Sequence, residues 1–103
     1  MTKRALSSKL TGKQVRFLRG LGHKLKPVVM IGKQHITADV VNSVDEALAA
    51  HELIKVKLQE GCLMNRQEAA VELADRTDST VVQVLGKTIL LYRPGEKELI
   101  ELP

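Results

Sequence analysis

The sequence predicts an α/β fold, a two-layer sandwich of α-β-α-β-α-β-β order with a mixed four-stranded sheet. Helix-capping signals alternate along the chain with short apolar runs, and two strand–helix–strand units of this kind favour parallel strands. Two apolar runs separated by Gly86 and Lys87 predict a hairpin, which adds an antiparallel pair. Lys55, Lys57 and Gln83 occupy alternate strand positions and favour one solvated sheet face. A length of 103 residues suits one domain.

The first helix follows residues 1–9, which we expect to be a basic, flexible tail. Thr11 and Gln14 have capping-box spacing, which predicts that the helix begins after Thr11. At about 100° per residue, the apolar residues fall on one side and are expected in the core: Phe17, Leu18, Leu21 and Leu25. The opposite side is basic, with Lys13 and Lys24 at its border: Arg16, Arg19, His23 and Lys26. Gly20 and Gly22 weaken the helix, and they either permit close packing against a strand or mark a frayed last turn.

The next elements follow from one apolar run and one N-cap. Residues 28–31 form a wholly apolar run behind Pro27, which is typical of a buried strand. Thr37 is a good N-cap for a helix that extends to about residue 50. Residues 53–58 then alternate as a strand.

The last third of the chain predicts a helix and the hairpin. Asn65 and Glu68 form a second capping pair and open the third helix. Residues 81–85 and 88–92 are the hairpin strands. Residues 96–103 form a C-terminal tail of weak strand character, which we consider as an added strand.

The charge is distributed very unevenly. Residues 1–38 contain nine lysines and arginines and no acid, whereas residues 39–103 contain seven bases and twelve acids. A solubilising basic tail is one interpretation of this asymmetry. The functional interpretation is a surface that binds an anion, above all a nucleic acid.

The sequence does not favour an enzyme. His23, His35 and His51 match no metal-binding spacing, and the lone Cys62 has no catalytic signature around it. No phosphate-binding or nucleophile motif is present, so we predict no catalytic residue, no metal and no cofactor. No apolar run is long enough to cross a membrane, and the basic N-terminus lacks the apolar core of a signal peptide. With a single cysteine, these features favour a cytoplasmic protein.

The loop between the first strand and the second helix is a candidate anion site. Gly32 permits a tight turn, Lys33 adds a positive charge, and Gln34 and His35 supply hydrogen-bonding groups. The following helix N-terminus favours an anion. An ordinary strand-to-helix connection is the alternative interpretation of the same four residues.

Six segments together resemble the CRM domain family (chloroplast RNA splicing and ribosome maturation), and above all its stand-alone bacterial members of the YhbY type. These segments are LTGKQ (10–14), LRGLGH (18–23), LKPVV (25–29), IGK (31–33), HELIKVK (51–57) and GKTILLYRP (86–94). The resemblance covers about residues 10–95. It implies a fold similar to the C-terminal domain of translation initiation factor three. It also implies RNA binding, with bacterial members tied to precursors of the large ribosomal subunit.

The family carries a GxxG loop, similar to the loop with which KH domains grip a nucleic-acid backbone. Gly32, Lys33 and Gln34 match its first three positions, but His35 replaces the final glycine. A residue other than glycine costs about 1 kcal/mol where the backbone requires a positive φ. The resemblance therefore indicates where the loop lies better than it indicates the loop's geometry.

These observations lead to one hypothesis, a non-catalytic protein that binds ribosomal RNA during assembly of the large ribosomal subunit. The predicted RNA-binding residues are Lys13, Arg16, Arg19, Lys24, Lys26, Gly32, Lys33, Gln34 and His35, with Lys55, Lys57 and Arg93 as weaker candidates. We expect a monomer with no small-molecule substrate and no membrane partner. The alternative is a protein-docking adaptor whose basic face meets an acidic partner.

Overall fold

A computed structural model describes residues 10–33 and 36–103 of the chain. Its elements are α1 (Gly12–Gly22), β1 (Pro27–Ile31), α2 (Ala38–His51), β2 (Leu53–Leu58), α3 (Arg66–Thr77), β3 (Thr80–Leu85) and β4 (Thr88–Tyr92). The predicted order of three helices and four strands is therefore confirmed for the described residues.

The four strands form one mixed sheet in the order β1-β2-β4-β3. β1 and β2 are parallel, and β4 lies between β2 and β3, antiparallel to both. The two helical crossovers therefore join parallel strands, as predicted: β1 to β2, and β2 to β3. The second strand of the hairpin, β4, lies between β2 and β3. Gly86 adopts a φ of +59° in the two-residue turn, a conformation that glycine reaches without strain.

The larger core lies between the sheet and helices α2 and α3. Capping residues begin both helices: the Thr37 hydroxyl accepts a hydrogen bond from the Val40 N–H, and the Asn65 side chain accepts from the N–H groups of Gln67 and Glu68. The buried aliphatic side chains of this core come from β1, β2, β4 and both helices. They include Ile31, Val44, Leu48, Val56, Leu73, Ile89 and Leu91.

Helix α1 packs on the other face of the sheet, where it contacts β2, β3 and β4. The structure therefore differs from the two-layer expectation, because helices lie on both faces. A second buried cluster forms beneath α1 from Leu18, Leu53, Val82, Leu90 and Tyr92. This second cluster forms because β4 has four consecutive apolar residues, 89–92, whose side chains point alternately to the two faces of the sheet. Apolar side chains on both faces must be shielded from water, so helices pack on both. The remainder of this face is open, since Val28 and Met30 of β1 are 54% and 50% exposed.

The C-terminal tail forms no strand between residues 96 and 103; a buried carboxylate holds it in place instead. Glu52 is 1% exposed, and its Oε2 accepts hydrogen bonds from the N–H groups of Gly95 (3.1 Å) and Leu99 (3.0 Å). Its Oε1 accepts from the N–H of Ile100 at 3.1 Å. A Cβ at Gly95 would lie 2.7 Å from Oε2, so the approach requires a glycine there.

This anchor directs the end of the tail onto helix α1. Ile100 and Leu102 pack against the cluster beneath α1, and the Gln14 side-chain amide donates a hydrogen bond to the Pro103 carbonyl at 3.2 Å. These contacts of the tail help to hold α1 on the sheet. Burial in the same cluster raises the pKa of the Tyr92 phenol, and the negative charges of Glu52 and Glu98 raise it further.

Candidate nucleic-acid interface

Helix α1 presents a continuous basic flank to solvent. The predicted capping box is present: the Thr11 hydroxyl accepts from the Gln14 N–H, and the Gln14 side chain accepts from the Thr11 N–H. Because Leu18 and Gly22 face the sheet, Arg16, Arg19 and His23 lie together along one side; we call these three residues the basic flank.

The predicted cations of this region are all exposed: Lys13, Arg16, Arg19, Lys24 and Lys26. Within residues 10–33 and 36–103, none of them lies within 4.0 Å of an acidic side chain. Their charges are therefore available to a ligand. Lys26 lies apart from the basic flank and lines an apolar cavity of about 460 Å³ with Leu21, Leu25 and Val28.

Close packing at Gly22 brings the basic flank down to the sheet. A Cβ at this position would lie 2.7 Å from a Leu90 methyl carbon, whereas a Cβ at Gly20 would meet nothing within 4 Å. Of the two explanations for these glycines, close packing against a strand therefore holds for Gly22. The absence of a side chain at Gly22 sets the distance between α1 and β4.

A polar concavity of about 370 Å³ lies between α1 and the outer face of the sheet; we call it the α1–sheet cavity. Its lining residues are Arg19, Gly20, His23, Lys55, Gln83, Leu85, Thr88 and Leu90. The strand register explains the convergence, because Lys55 and Gln83 both pair with Leu90 from opposite sides. The predicted candidates Arg19 and Lys55 therefore meet in one place.

Sequence reasoning missed three residues of this cavity. The helical projection puts His23 on the basic side of α1 and the alternation of β3 puts Gln83 on a solvated face, but neither pattern predicts that these side chains and Thr88 line one site. Their shared position depends on the insertion of β4 between β2 and β3. The alternation of apolar and polar residues along each strand does not predict this order of strands in the sheet.

Lys57 extends the basic surface from the α1–sheet cavity towards the ends of β1 and β2. It pairs with Met30 on one side and Thr88 on the other, and its side chain is exposed. Two residues beyond Met30 the chain enters the loop that begins at Gly32. The weaker candidates Lys55 and Lys57 thus connect the basic flank with the predicted loop.

The loop after β1 is described at Gly32 and Lys33, whereas Gln34 and His35 lie outside the described residues. Lys33 is exposed, and its aliphatic stem passes 3.6 Å from where a Cβ of Gly61 would lie. The Gln59 N–H donates to the Ile31 carbonyl at 2.9 Å and fixes the start of the loop. The loop therefore lies beside the chain segment that follows β2.

The N-terminus of α2 is weaker as an anion site than its position suggests. Thr37 already accepts from one of the free N–H groups, and Asp39 places a negative charge in the first turn. Both features compete with an incoming phosphate. In the described part of the loop, the positive charge comes from Lys33.

Arg93 is not brought together with the other candidates. Its side chain is 14% exposed, and its guanidinium donates to Asp45 Oδ1 at 2.6 Å, the Thr77 carbonyl at 2.8 Å and the Asp45 carbonyl at 3.1 Å. These bonds join the end of β4 to α2 and to the end of α3. The structure thus gives Arg93 a structural role.

Lys87 in the hairpin turn is also committed to a partner, since its Nζ lies 2.7 Å from Glu60 Oε1. This hydrogen bond and the charge of Lys87 lower the pKa of the Glu60 carboxyl. Both side chains are solvated, so the pair contributes little to stability. It does place one acid at the edge of the basic surface.

The described residues offer little surface for stacking bases on aromatic rings. Phe17, expected in the core, is instead 38% exposed, and Tyr92 is buried. In residues 10–33 and 36–103, no group of three His, Cys, Asp or Glu side chains could hold a metal ion. The helices described here are all too short or too polar to cross a bilayer.

Comparison with known proteins supplies the family. The family model of the CRS1/YhbY (CRM) domain matches residues 10–93. The chain belongs to the CRM family. The predicted resemblance is confirmed, and it covers almost the same residues.

Other CRM proteins match over most of their length. The chain is 41% identical over 95 residues to the Probable RNA-binding protein YqeI of Bacillus subtilis, covering 91% of this chain and 99% of that protein. It is 40% identical over 94 residues to an RNA-binding protein of Haemophilus influenzae, covering 91% and 95%. The solution structure of the hypothetical protein SAV1595 from Staphylococcus aureus superposes with a TM-score of 0.78 at 41% identity, covering 91% of this chain and 99% of that one. The α/β fold with a mixed sheet is therefore shared.

Proposed function

We propose that this protein binds RNA without catalysing a reaction, through a surface that runs from the basic flank over Lys55 and Lys57 to Lys33. One observation carries the proposal: the cations of α1 lie on the sheet face that presents Lys55 and Lys57 of β2, and Lys33 follows shortly after the end of β1, the strand that pairs with β2. Among the described residues, these cations have no acidic side chain within 4.0 Å. Such a surface neutralises phosphates, which supply most of the affinity of proteins for nucleic acids. The names of its relatives support RNA as the ligand.

The RNA we propose is ribosomal, in precursors of the large subunit, and the protein acts in the cytoplasm as a monomer. The likeness to bacterial CRM proteins supports the assignment to precursors of the large ribosomal subunit. The paucity of exposed aromatic rings in the described residues favours recognition of backbone and shape, which is how structured RNA is bound. An RNA of defined fold suits this surface better than a single strand held by stacking.

Crosslinking in cells, followed by sequencing of the attached RNA, tests the ribosomal assignment. We expect large-subunit ribosomal sequences to dominate, and we expect their recovery to fall about tenfold or more for an Arg16→Glu/Arg19→Glu variant. Arg76→Glu/Lys97→Glu is the matched control. Arg76 is an exposed residue of α3 paired with Glu72 and Lys97 is an exposed residue of the C-terminal tail, so the double variant makes the same change in net charge outside the proposed surface and should leave recovery unchanged. Predominantly non-ribosomal RNA would overturn the assembly role and leave RNA binding intact.

Nuclease treatment separates this proposal from a protein-docking adaptor. A protein attached to assembling subunits through RNA is released when that RNA is digested. An adaptor keeps its acidic protein partner after the same treatment. Retention of a protein partner after complete digestion would therefore contradict the proposal.

A further inference from the structure

We infer that the α1–sheet cavity is a subsite for one unpaired nucleotide, in which Gln83 and Thr88 read the edge of the base. Arg19, His23 and Lys55 hold the adjoining phosphates. This inference rests on the proposed RNA binding and deepens it: the protein distinguishes a base at one position, in addition to binding phosphates.

The first argument is that hydrogen-bonding side chains converge here without partners. Arg19, His23, Lys55, Gln83 and Thr88 reach the cavity from one helix and three strands. Within the described part of the chain, none of these five side chains makes a hydrogen bond or an ion pair. Arg19 and His23 are exposed and the other three side chains are half-buried, so the polar atoms of all five are open to the concavity and free to bind a ligand that enters it.

The second argument is that the cavity has an apolar part as well as a polar one. Leu90 is 2% exposed and forms part of the lining, while Leu85 is 68% exposed beside it. Leu85 therefore offers a nonpolar surface to the flat face of a base, and the buried Leu90 contributes only to the floor beneath it. The volume of about 370 Å³ lies at the lower end of the range of about 300–1,000 Å³ for ligand pockets. It therefore suits one nucleotide better than a longer segment.

The third argument is that the chemistry separates into two halves. The Gln83 amide has a donor and an acceptor side by side, which is the pairing needed for the edge of a base, and the Thr88 hydroxyl either donates or accepts. The cations Arg19 and Lys55 have no acceptor to offer a base and are suited to phosphate oxygens, and the His23 ring adds a further hydrogen-bonding group beside them. The amide and the hydroxyl therefore determine base identity, and the cations determine affinity.

Selection from hairpin RNAs with a randomised loop tests the inference. We expect the wild-type protein to enrich one base at one loop position. In Gln83→Met, which keeps the side-chain length and removes the amide, we expect discrimination at that position to fall roughly tenfold, while the salt dependence of binding is unchanged. Gln67→Met, at the start of α3 on the opposite side of the sheet, is the matched control and should select like the wild type.

A second pair of variants keeps the test decisive. Thr88→Val is nearly isosteric and should also weaken discrimination, whereas Lys55→Gln should reduce the salt slope by about one and preserve the selected base. Wild-type protein that binds the hairpins but enriches no base would overturn the inference and leave RNA binding standing. Unchanged selection by Gln83→Met and Thr88→Val would do the same. Failure of the wild type to bind any of the hairpins would overturn the proposed function itself.

Discussion

At the residue scale, a single carboxylate determines the course of the C-terminal tail. Glu52 is buried and accepts three backbone hydrogen bonds from residues 95, 99 and 100. A buried charge is tolerated only when hydrogen bonds compensate for its lost hydration. The tail backbone supplies this compensation, and in return it is held in place against the cluster beneath α1.

Replacing this carboxylate should therefore weaken the fold. In Glu52→Gln one acceptor oxygen becomes an amide donor, which faces backbone N–H groups, so we expect the free energy of unfolding to fall by about 2–4 kcal/mol. Chemical denaturation measures this change. Glu96→Gln, an exposed acid of the same tail, should alter the free energy of unfolding by less than about 0.5 kcal/mol. Equal denaturation midpoints for Glu52→Gln and the wild type would show that the tail is not anchored in this way.

Two residues show where sequence reasoning succeeds and where it does not. Thr11 and Gln14 form their predicted capping box because both partners lie within one helical turn. Arg93 resembled a free cation, since its partner Asp45 lies 48 positions away in the chain. Local patterns report local contacts, and only the tertiary fold shows which charges are already paired.

At the element scale, the docking of α1 depends on the difference between its two glycines. Gly22→Ala places a methyl group against the buried Leu90, and we expect a loss of about 1–3 kcal/mol in the free energy of unfolding. Gly20→Ala meets no neighbour within 4 Å and should gain about 0.5–1 kcal/mol, because alanine favours the helix. Thermal or chemical denaturation distinguishes the two variants. If both were stabilising, the packing of α1 on β4 would be less close than described.

The helices and strands could largely be predicted from the sequence, whereas the sheet face on which each helix packs could not. Apolar periodicity and capping residues locate each helix and strand, because these signals depend on neighbours in the chain. The position of α1 on the second face depends on Leu53 of β2 and on Leu90 and Tyr92 of β4, which project there from two strands far apart in the chain. The unbroken apolar run in β4 was the available signal for cover on both faces. The α1–sheet cavity was hidden for the same reason, since its lining comes from four elements.

At the scale of the whole molecule, the uneven charge of the sequence becomes a division between surfaces. The acid-free segment supplies α1, β1 and the start of the next loop, and β2 adds two lysines beside it. Acids dominate the rest of the chain, where Asp45 pairs with Arg93, while Glu60 pairs with Lys87 at the edge of the basic surface. A net charge of +4 therefore understates the field that an approaching RNA meets.

The salt dependence of binding to a structured fragment of large-subunit ribosomal RNA tests this account most directly. If about six phosphates are neutralised, the plot of log affinity against log salt should have a slope of about −4 to −5. Arg16→Glu/Arg19→Glu should abolish measurable binding without unfolding the protein, whereas Arg76→Glu/Lys97→Glu should bind like the wild type. A slope near zero, or equal binding by the two charge-reversal variants, would contradict the claim that this face holds the RNA.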